Sequence, residues 1–540
     1  MTARSIRGVT AAALAGAMAL LAAACSTPND GGRSGTGAGD PGTAVVGIAN
    51  EPETLSPLLG FGKDGNSKIF DGLLAHDAGM KLKPALAAGL PKVSDDGTTY
   101  TYTLREGVRF SDGKPFTADD VVFTYETILD EKTNNASKAE LDAIDKVEKK
   151  DARTVVFHLK YPYAPFAERT VLPIVPRHIA EKQDVNSGDF STKPVGTGPY
   201  ILTGWSKGEK LTFKANPTYW GGAPKVKKFT MAIIKDDDVR ATRLRTGELD
   251  GAILPPNLAA TFKAGESGKD GKGLRTVTAK TFDYRNVTLP SAHPVTGDRA
   301  VRRALDLAVD REAMVKGILE GAGKPAYGPV PTDSPWFAKG TERPHDLTKA
   351  QQILDEAGWK PGQDGIREKD GRRASFALWY LSGDTLRQKH ALAFASDAKK
   401  AGIEVKVQSG TWEAIEPNMK NDAVLGGGGS PADPDFDQYL LLHSSLAGDG
   451  FNNMSRYADK TVDEQLEAAR RTDDPARRKA AYDKIQHQLA ENPAYVFLTH
   501  VDHLYVVKDE WKDLTTQVEP HDHGLGAGPW WNVEDWQPKK

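Results

Sequence analysis

The side chains able to do covalent or metal chemistry are few, and their spacing is wrong for it. Ser111-Asp112-Gly113-Lys114 has the Ser-x-x-Lys pattern of penicillin-interacting serine enzymes. That chemistry needs the serine to open a helix, with the lysine one turn later. Here Pro115 follows the lysine and the helical pattern begins only after Thr117, so the two side chains are not one turn apart. No Gly-x-Ser-x-Gly and no His-Glu-x-x-His occurs. The glycine- and lysine-rich run 265–273 lacks the spacing of a Walker A loop and gives no sign of ATP hydrolysis. Of the twelve histidines, only His500/His503 and His521/His523 are close pairs. On a strand, positions 521 and 523 face the same way, and His521-Asp522-His523 would need a third ligand to hold a divalent ion. A surface loop produces the same pattern. The expectation is a chain without catalytic residues, cofactor or functional metal site, and a secreted serine hydrolase is the disfavoured alternative.

The single cysteine, Cys25, excludes an internal disulfide framework and a Cys-rich metal site. Its position gives it another use. Arg4 and Arg7 precede sixteen uncharged residues, Val9 to Ala24. A membrane span needs about 20 residues, whereas a secretory signal core is shorter and ends in small residues. Leu21-Ala22-Ala23-Ala24-Cys25 resembles a bacterial lipobox, whose cysteine becomes the new N-terminus and receives diacylglycerol. Lipoboxes prefer Leu three residues before the cysteine; here Ala22 holds that place and Leu21 stands one position further out. Residues 1–24 are expected to be a lipoprotein signal peptide and Cys25 the lipid anchor, on the extracytoplasmic face of a bacterial cell membrane. Thirteen of residues 26–43 are Gly, Ser, Thr or Pro. Such a chain buries no core and reaches roughly 20–25 Å as a flexible coil, so 25–43 reads as a tether. The balance of 70 basic against 73 acidic residues, net −3, gives no footprint for nucleic acid.

The 540 residues leave room for about three or four domain-sized units, and their elements mix helix and strand. Ala44-Val45-Val46-Gly47-Ile48 predicts a buried strand. Residues 99–104 and 154–159 alternate as half-buried strands do. Residues 69–74 predict a short helix. Thr117 caps a helix with Asp120 as its capping-box partner. Asp298 caps another, with Val301, Leu305, Ala308 and Val309 inward. Residues 348–357 form a helix stopped by Gly358. Thr461 with Glu464 opens a helix that breaks at Asp474-Pro475 and resumes to Leu489. Further strands lie at 376–379 and 403–407. The interleaving predicts an α/β architecture with more than one sheet.

Four motif blocks, in order, carry a resemblance. The first is Pro84 to Ala87, Asp96-Gly97, Leu104 to Phe110, Asp112-Gly113 and Thr117 to Val121. The second is Val195-Gly196-Thr197-Gly198-Pro199-Tyr200, then Trp205 and Asn216-Pro217-Thr218-Tyr219-Trp220. The third is Gly247-Glu248-Leu249-Asp250. The fourth is Val301-Arg302-Arg303-Ala304-Leu305 with Asp310-Arg311. Together they resemble the family 5 extracellular solute-binding proteins of ABC importers, the peptide- and nickel-binding group. Most of these residues read as scaffold, with the Arg302 helix face solvated or salt-bridged.

The resemblance implies a two-lobe periplasmic-binding-protein-like clamp (class II, cluster C) with an extra subdomain in the first lobe. Lobe I would comprise 44–78, 191–285 and 506–540, with 79–190 as the added subdomain. Lobe II would be 286–505. Hinges would lie near Tyr284-Arg285-Asn286 and near 501–507. It also implies a monomer that closes on an oligopeptide or other small solute and delivers it to ABC permease subunits served by separate ATPase subunits.

The resemblance further implies that the loop 424–439, VLGGGGSPADPDFDQY, meets the ligand. Peptide-binding members carry a Gly-Trp and an Asp ahead of Asp-Pro-Asp, and that Asp pairs with the peptide α-ammonium. Alignment on Asp433-Pro434-Asp435 puts Ser430 at the amine-binding position and Gly427 at the tryptophan. Serine accepts a hydrogen bond but brings no charge, and glycines at 426–429 let backbone approach a ligand. Peptide is therefore the expected ligand, with a neutral oligosaccharide or other non-peptide solute as the alternative. The candidate ligand residues are Phe61, Tyr284, Asn286, Tyr327, Trp336, Trp379, Trp412, Gly427, Gly428, Ser430 and Asp433.

Overall fold

A computed structural model describes residues 42–65, 67–135, 138–265, 273–521 and 525–539. Cys25, the signal segment, almost all of the expected tether, Asp522 and His523 lie outside the described residues. Among the described residues no helix is long and apolar enough to cross a membrane.

Three sheets organise the chain. The first has seven strands. Thr43–Ile48 runs parallel to Lys228–Ile233, which continues into Lys210–Ala215 and Tyr200–Ser206. On its other side lie Gly251–Leu254, His503–Lys508 and Leu274–Ala279. The second has six strands in the order Gly323–Pro325, Tyr495–Val501, Tyr284–Thr288, Ala423–Gly428, Ser375–Leu381 and Glu404–Gly410. Every residue of Tyr284–Thr288 and of Tyr495–Val501 is buried, as expected for central strands covered on both faces. The third sheet is antiparallel: Lys92–Val93, Thr99–Thr103, Thr154–Leu159 and Ile144–Asp151. In it Val155, Phe157 and Leu159 point inward.

The helix Ala118–Leu129 lies beside that third sheet. The capping box is formed: the Thr117 backbone N–H donates to Asp120, and the Thr117 hydroxyl accepts from the Asp119 N–H. Asp298 caps Arg299–Ala308 and Asp474 caps Pro475–Glu491. These caps are set by neighbours in sequence, and sequence alone locates them.

Four expectations are corrected. Residues 69–74 form no helix; the carbonyls of Lys68 and Ile69 accept from the N–H groups of Tyr200 and Gly198. Gly72 lies so close to the Val171 carbonyl that a Cβ would overlap it. Asp459, not Thr461, caps Lys460–Arg470, accepting from the N–H groups of Thr461 and Val462. Arg302 is buried rather than solvated, its guanidinium donating to the carbonyls of Thr296, Gly297 and Pro493. Finally, the expected lobe limits 285/286 and 505/506 cut through strands. Arg285 pairs with Gly427 in the second sheet, and Leu504 pairs with Leu254 in the first. Both strands belong whole to one sheet, so the chain crosses between sheets at 280–283 and at Asp502.

Candidate functional site

The site is built around the turn that follows Ala423–Gly428. In the antiparallel register Tyr284 faces Gly428, Arg285 faces Gly427 and Asn286 faces Gly426. Directly opposed residues share a face at short range, so large side chains on one strand require small ones on the other. A Cβ at Gly428 would stand 2.5 Å from the Tyr284 hydroxyl, and one at Gly427 would stand 2.9 Å from the His521 ring and 3.0 Å from Arg285. Gly429 has φ +127°, and a Cβ there would overlap the Phe282 carbonyl. The glycine run thus accommodates the chain's own Tyr284, Arg285 and Phe282.

Three acids follow at alternate positions, each with a different partner. Asp433 receives both Nη atoms of Arg478, each at 2.7 Å, and the pair is buried. Asp435 accepts the Tyr163 hydroxyl at 2.7 Å and lies 3.2 Å from Arg470. Burial pushes its carboxyl up to about 6 against the pull of Arg470. Asp437 accepts the Tyr284 hydroxyl at 2.9 Å through one oxygen, while its other oxygen, Oδ2, is shut from solvent and has no partner. Burial pushes Asp437 up to about 7, against the Tyr284 hydroxyl and the Gly429 amide. The adjacent Gln438 is 0 % exposed and neither atom of its amide group is hydrogen-bonded.

Asp437, Gln438 and Ser430 line one cavity with Phe282, Pro329, Val330 and Trp336. The cavity is small, about 10 Å³, room for about one water molecule. Trp336 is held edge-on to Tyr482 at 5.6 Å, with Arg478 5.3 Å from its ring. The turn also touches the segment 161–169: besides Tyr163–Asp435, Arg169 lies over the Phe436 ring. Arg471, at the end of the neighbouring helix Lys460–Arg470, lies over Tyr161.

Of the residues singled out in the sequence, the structure brings Trp336 and Ser430 to the cavity, with Tyr284 and Gly428 directly behind Asp437. Asp433 is spent on Arg478. Asn286 is buried beside Gly426, its Oδ1 without a partner. Four others lie elsewhere. Phe61 packs in the hydrophobic core that also holds Leu58, Ile69 and Phe70. Tyr327 is 5.3 Å from Arg311 and gives its carbonyl to Arg343. Trp379 donates to Asp422 at 2.8 Å. Trp412 meets Phe451 at 5.0 Å. Sequence reasoning missed Asp437, Gln438 and Phe282. The signal for Asp437 was the third acid in Asp433-Pro434-Asp435-Phe436-Asp437.

Behind the cavity lies a knot of buried charge at the two crossings. Asp283 accepts from Arg285, from His503 Nε2 at 3.1 Å and from His521 Nδ1 at 2.6 Å. His503 also donates through Nδ1 to Glu519, whose other oxygen accepts the Tyr505 hydroxyl at 2.7 Å. Both acids favour the charged imidazole, so His503 is pushed up to about 10 despite its burial, and Asp283 is held well below the usual range. His521 is therefore a partner of Asp283. Among the described residues no three His, Cys, Asp or Glu side chains are grouped to hold a metal ion.

Comparisons with known proteins bear on this site. Residues 81–449 match the model of the bacterial extracellular solute-binding proteins, family 5 middle region. Protein XP55 of Streptomyces lividans is 65% identical over 522 residues, covering 96% of this chain and 95% of its own. Among solved structures, NikZ from Campylobacter jejuni in complex with Ni(L-His) superposes with a TM-score of 0.84 at 32% identity, covering 92% of this chain and 99% of its own. The oligopeptide-binding protein AppA from Bacillus subtilis, in complex with a nonapeptide, gives 0.79 at 29% identity over 92% and 99%.

Two outcomes follow from the geometry. Arg478→Met leaves Asp433 buried without its cation and is expected to cost about 3–5 kcal/mol of unfolding free energy, measured by urea titration. His503 carries a raised pKa in the fold, so its contribution is complete below about 6.5 and lost as pH rises through about 10. The difference in melting temperature between the native chain and His503→Gln should therefore shrink from pH 7 to pH 10.

Proposed function

This chain belongs to family 5 of the bacterial extracellular solute-binding proteins, and we propose that it is the lipid-anchored receptor of an ABC importer for oligopeptides or peptide-like solutes. Members of the family are two-lobe binding proteins and not enzymes, and the chain is one of them. In our reading the lobes are joined at 280–283 and at Asp502, swing about those crossings, close on the solute and present it to the permease. The protein acts as a monomer held to the outer face of the cell membrane through Cys25.

The observation that carries this reading is the cavity beside Ser430. It sits where the second-lobe turn, the first crossing and the loop bearing Trp336 meet. Its lining is apolar and aromatic at Phe282, Pro329, Val330, Trp336, Pro431 and Pro434, and polar at Ser430, Asp437 and Gln438. That division suits an organic solute with one polar end. AppA, a structural neighbour, holds a nonapeptide, which favours a peptide here. NikZ holds Ni(L-His), itself an amino-acid complex.

Native mass spectrometry of the protein purified from its own host is expected to find a copurified peptide. A sugar instead would overturn the peptide reading and leave the receptor reading intact. Restoring that ligand to the stripped protein should raise its melting temperature with no product formed. Cys25→Ala is expected to release the protein from the membrane fraction into the medium; a variant that stays membrane-bound would show that the anchor lies elsewhere.

A further inference from the structure

We propose that the lysine-rich end of the first sheet is a docking surface for anionic phospholipid headgroups, and that it sets the orientation of the receptor on the membrane to which Cys25 anchors it. The inference rests on the anchored-receptor reading above and adds the surface by which the folded body meets that membrane.

The argument starts from charge. Between positions 207 and 228 the chain carries six lysines, one glutamate and no other charged residue. The chain as a whole is slightly acidic, at net −3. The fold gathers these lysines. The strands Lys210–Ala215 and Lys228–Ile233 alternate, so that Leu211, Phe213, Phe229 and Met231 enter the core while Lys210, Lys214 and Lys228 stand exposed on the opposite face. In the antiparallel register Lys214 lies directly across from Lys228. Like charges opposed in this way repel, and an anionic surface relieves the repulsion. Lys225 and Lys227 are exposed just before the same strand end. Among the described residues, no carboxylate is paired with Lys210, Lys214 or Lys225. Glu534, whose carbonyl accepts the Lys225 N–H, gives its carboxylate to Lys68.

The second observation is where the chain enters the fold. Thr43, the first residue of the strand Thr43–Ile48, pairs with Lys228, so Thr43, Lys228 and Lys214 form one rung of the sheet. The Gly42 carbonyl accepts the N–H groups of Lys227 at 2.6 Å and of Lys228 at 3.0 Å. The segment that leads from Cys25 therefore joins the body at the basic end itself. As a coil, residues 26–43 reach roughly 20–25 Å, so a lipidated Cys25 keeps this end within that distance of the headgroups. Tethering turns the second contact into an intramolecular one, with an effective concentration on the order of millimolar. Contacts too weak to hold a free protein then suffice. An anionic surface attracts basic side chains that come within a screening length of about 8 Å at physiological ionic strength. Each lysine ammonium also brings three donors for phosphate oxygens.

The test reconstitutes the native lipoprotein into two kinds of vesicle, one of phosphatidylcholine alone and one of phosphatidylcholine and phosphatidylglycerol in equal parts. Exposed amines are acylated in a short pulse, and each lysine is read by peptide mass spectrometry. On the anionic vesicles, labelling of Lys210, Lys214 and Lys225 is expected to fall severalfold relative to the neutral ones. Labelling of Lys399 and Lys460, exposed on helices outside the first sheet, should be the same on both. At about 1 M salt, where the screening length is about 3 Å, the difference should vanish. A protein carrying both Lys214→Glu and Lys225→Glu should lose the protection of Lys210. It should melt no lower than the native one, because a carboxylate across from Lys228 replaces an opposed cation; this separates lost docking from lost folding. Equal labelling on both vesicles, or protection of Lys210 that survives the double substitution, overturns the docking surface and leaves the anchored receptor standing. An intact mass that shows no lipid on Cys25 overturns the anchored reading and this inference with it.

Discussion

The turn that follows the strand Ala423–Gly428 depends on one buried carboxylate, Asp283. Four stretches of chain meet on it. Its backbone carbonyl accepts the Val501 N–H at the second crossing. Its side chain binds Arg285 at the start of the central second-lobe strand, His503 at the start of the returning strand, and His521 in the C-terminal segment. The cluster balances two acids, Asp283 and Glu519, against Arg285 and a charged His503. Such a buried set contributes little net stability against an apolar replacement, yet losing one member costs several kcal/mol. Its effect is geometric: it fixes where the two crossings lie relative to each other, and so fixes any axis about which the lobes turn.

The same cluster also sets the binding turn. His521 holds Asp283 through its ring and donates its backbone N–H to the Gly429 carbonyl at 2.9 Å. Phe282, one residue before Asp283, presses its carbonyl against Gly429 and lends its side chain to the cavity. Hinge and cavity are therefore one packed body. Beyond Gly429, the alternating acids divide the work. Asp433 ties the turn to Arg478, Asp435 reaches Tyr163, and Asp437 accepts from Tyr284.

What was legible in the sequence follows how local each cause is. Helix starts at Ala118, Arg299 and Pro475 are set by caps within three residues, and they were readable. The alternation of 154–159 needs only that one face be buried. Residues 69–74 do not form the expected helix because their backbone groups pair with other segments: the carbonyl of Ile69 accepts from Gly198, that of Asp71 from Ile174, and that of Leu73 from Ala85 and Ala87. The lobe limits were misplaced because the strands on both sides of Asp502 are equally buried and no change of composition marks the passage. The glycine run was read as room for ligand; its cause is Tyr284, Arg285 and Phe282, about 140 residues earlier. Asp437 escaped for the same reason. Its partner is Tyr284, and only the fold distinguishes it from Asp433 and Asp435, whose arginines lie in later helices. Phe61, Trp379 and Trp412 show the limit of reading aromatic rings by type alone.

The contacts of the turn and of the helix Lys460–Arg470 with residues 142–169 are modest in strength, and that bears on the proposed function. The Tyr163–Asp435 hydrogen bond contributes on the order of 0.5–1.5 kcal/mol net, somewhat more for its charge. Arg169 over Phe436 and Arg471 over Tyr161 add about 0.5–2 kcal/mol each. Arg470 and Asp142, 3.7 Å apart with Asp142 half-exposed, add little. Inverting a two-state equilibrium from 1:99 to 99:1 takes about 5.5 kcal/mol of differential binding. A latch of a few kcal/mol is therefore weak enough for a solute to decide the balance, and strong enough to reward closure once the solute is in place. A stronger latch would close the clamp empty. On the proposed reading, a receptor built this way takes its switching energy from the ligand.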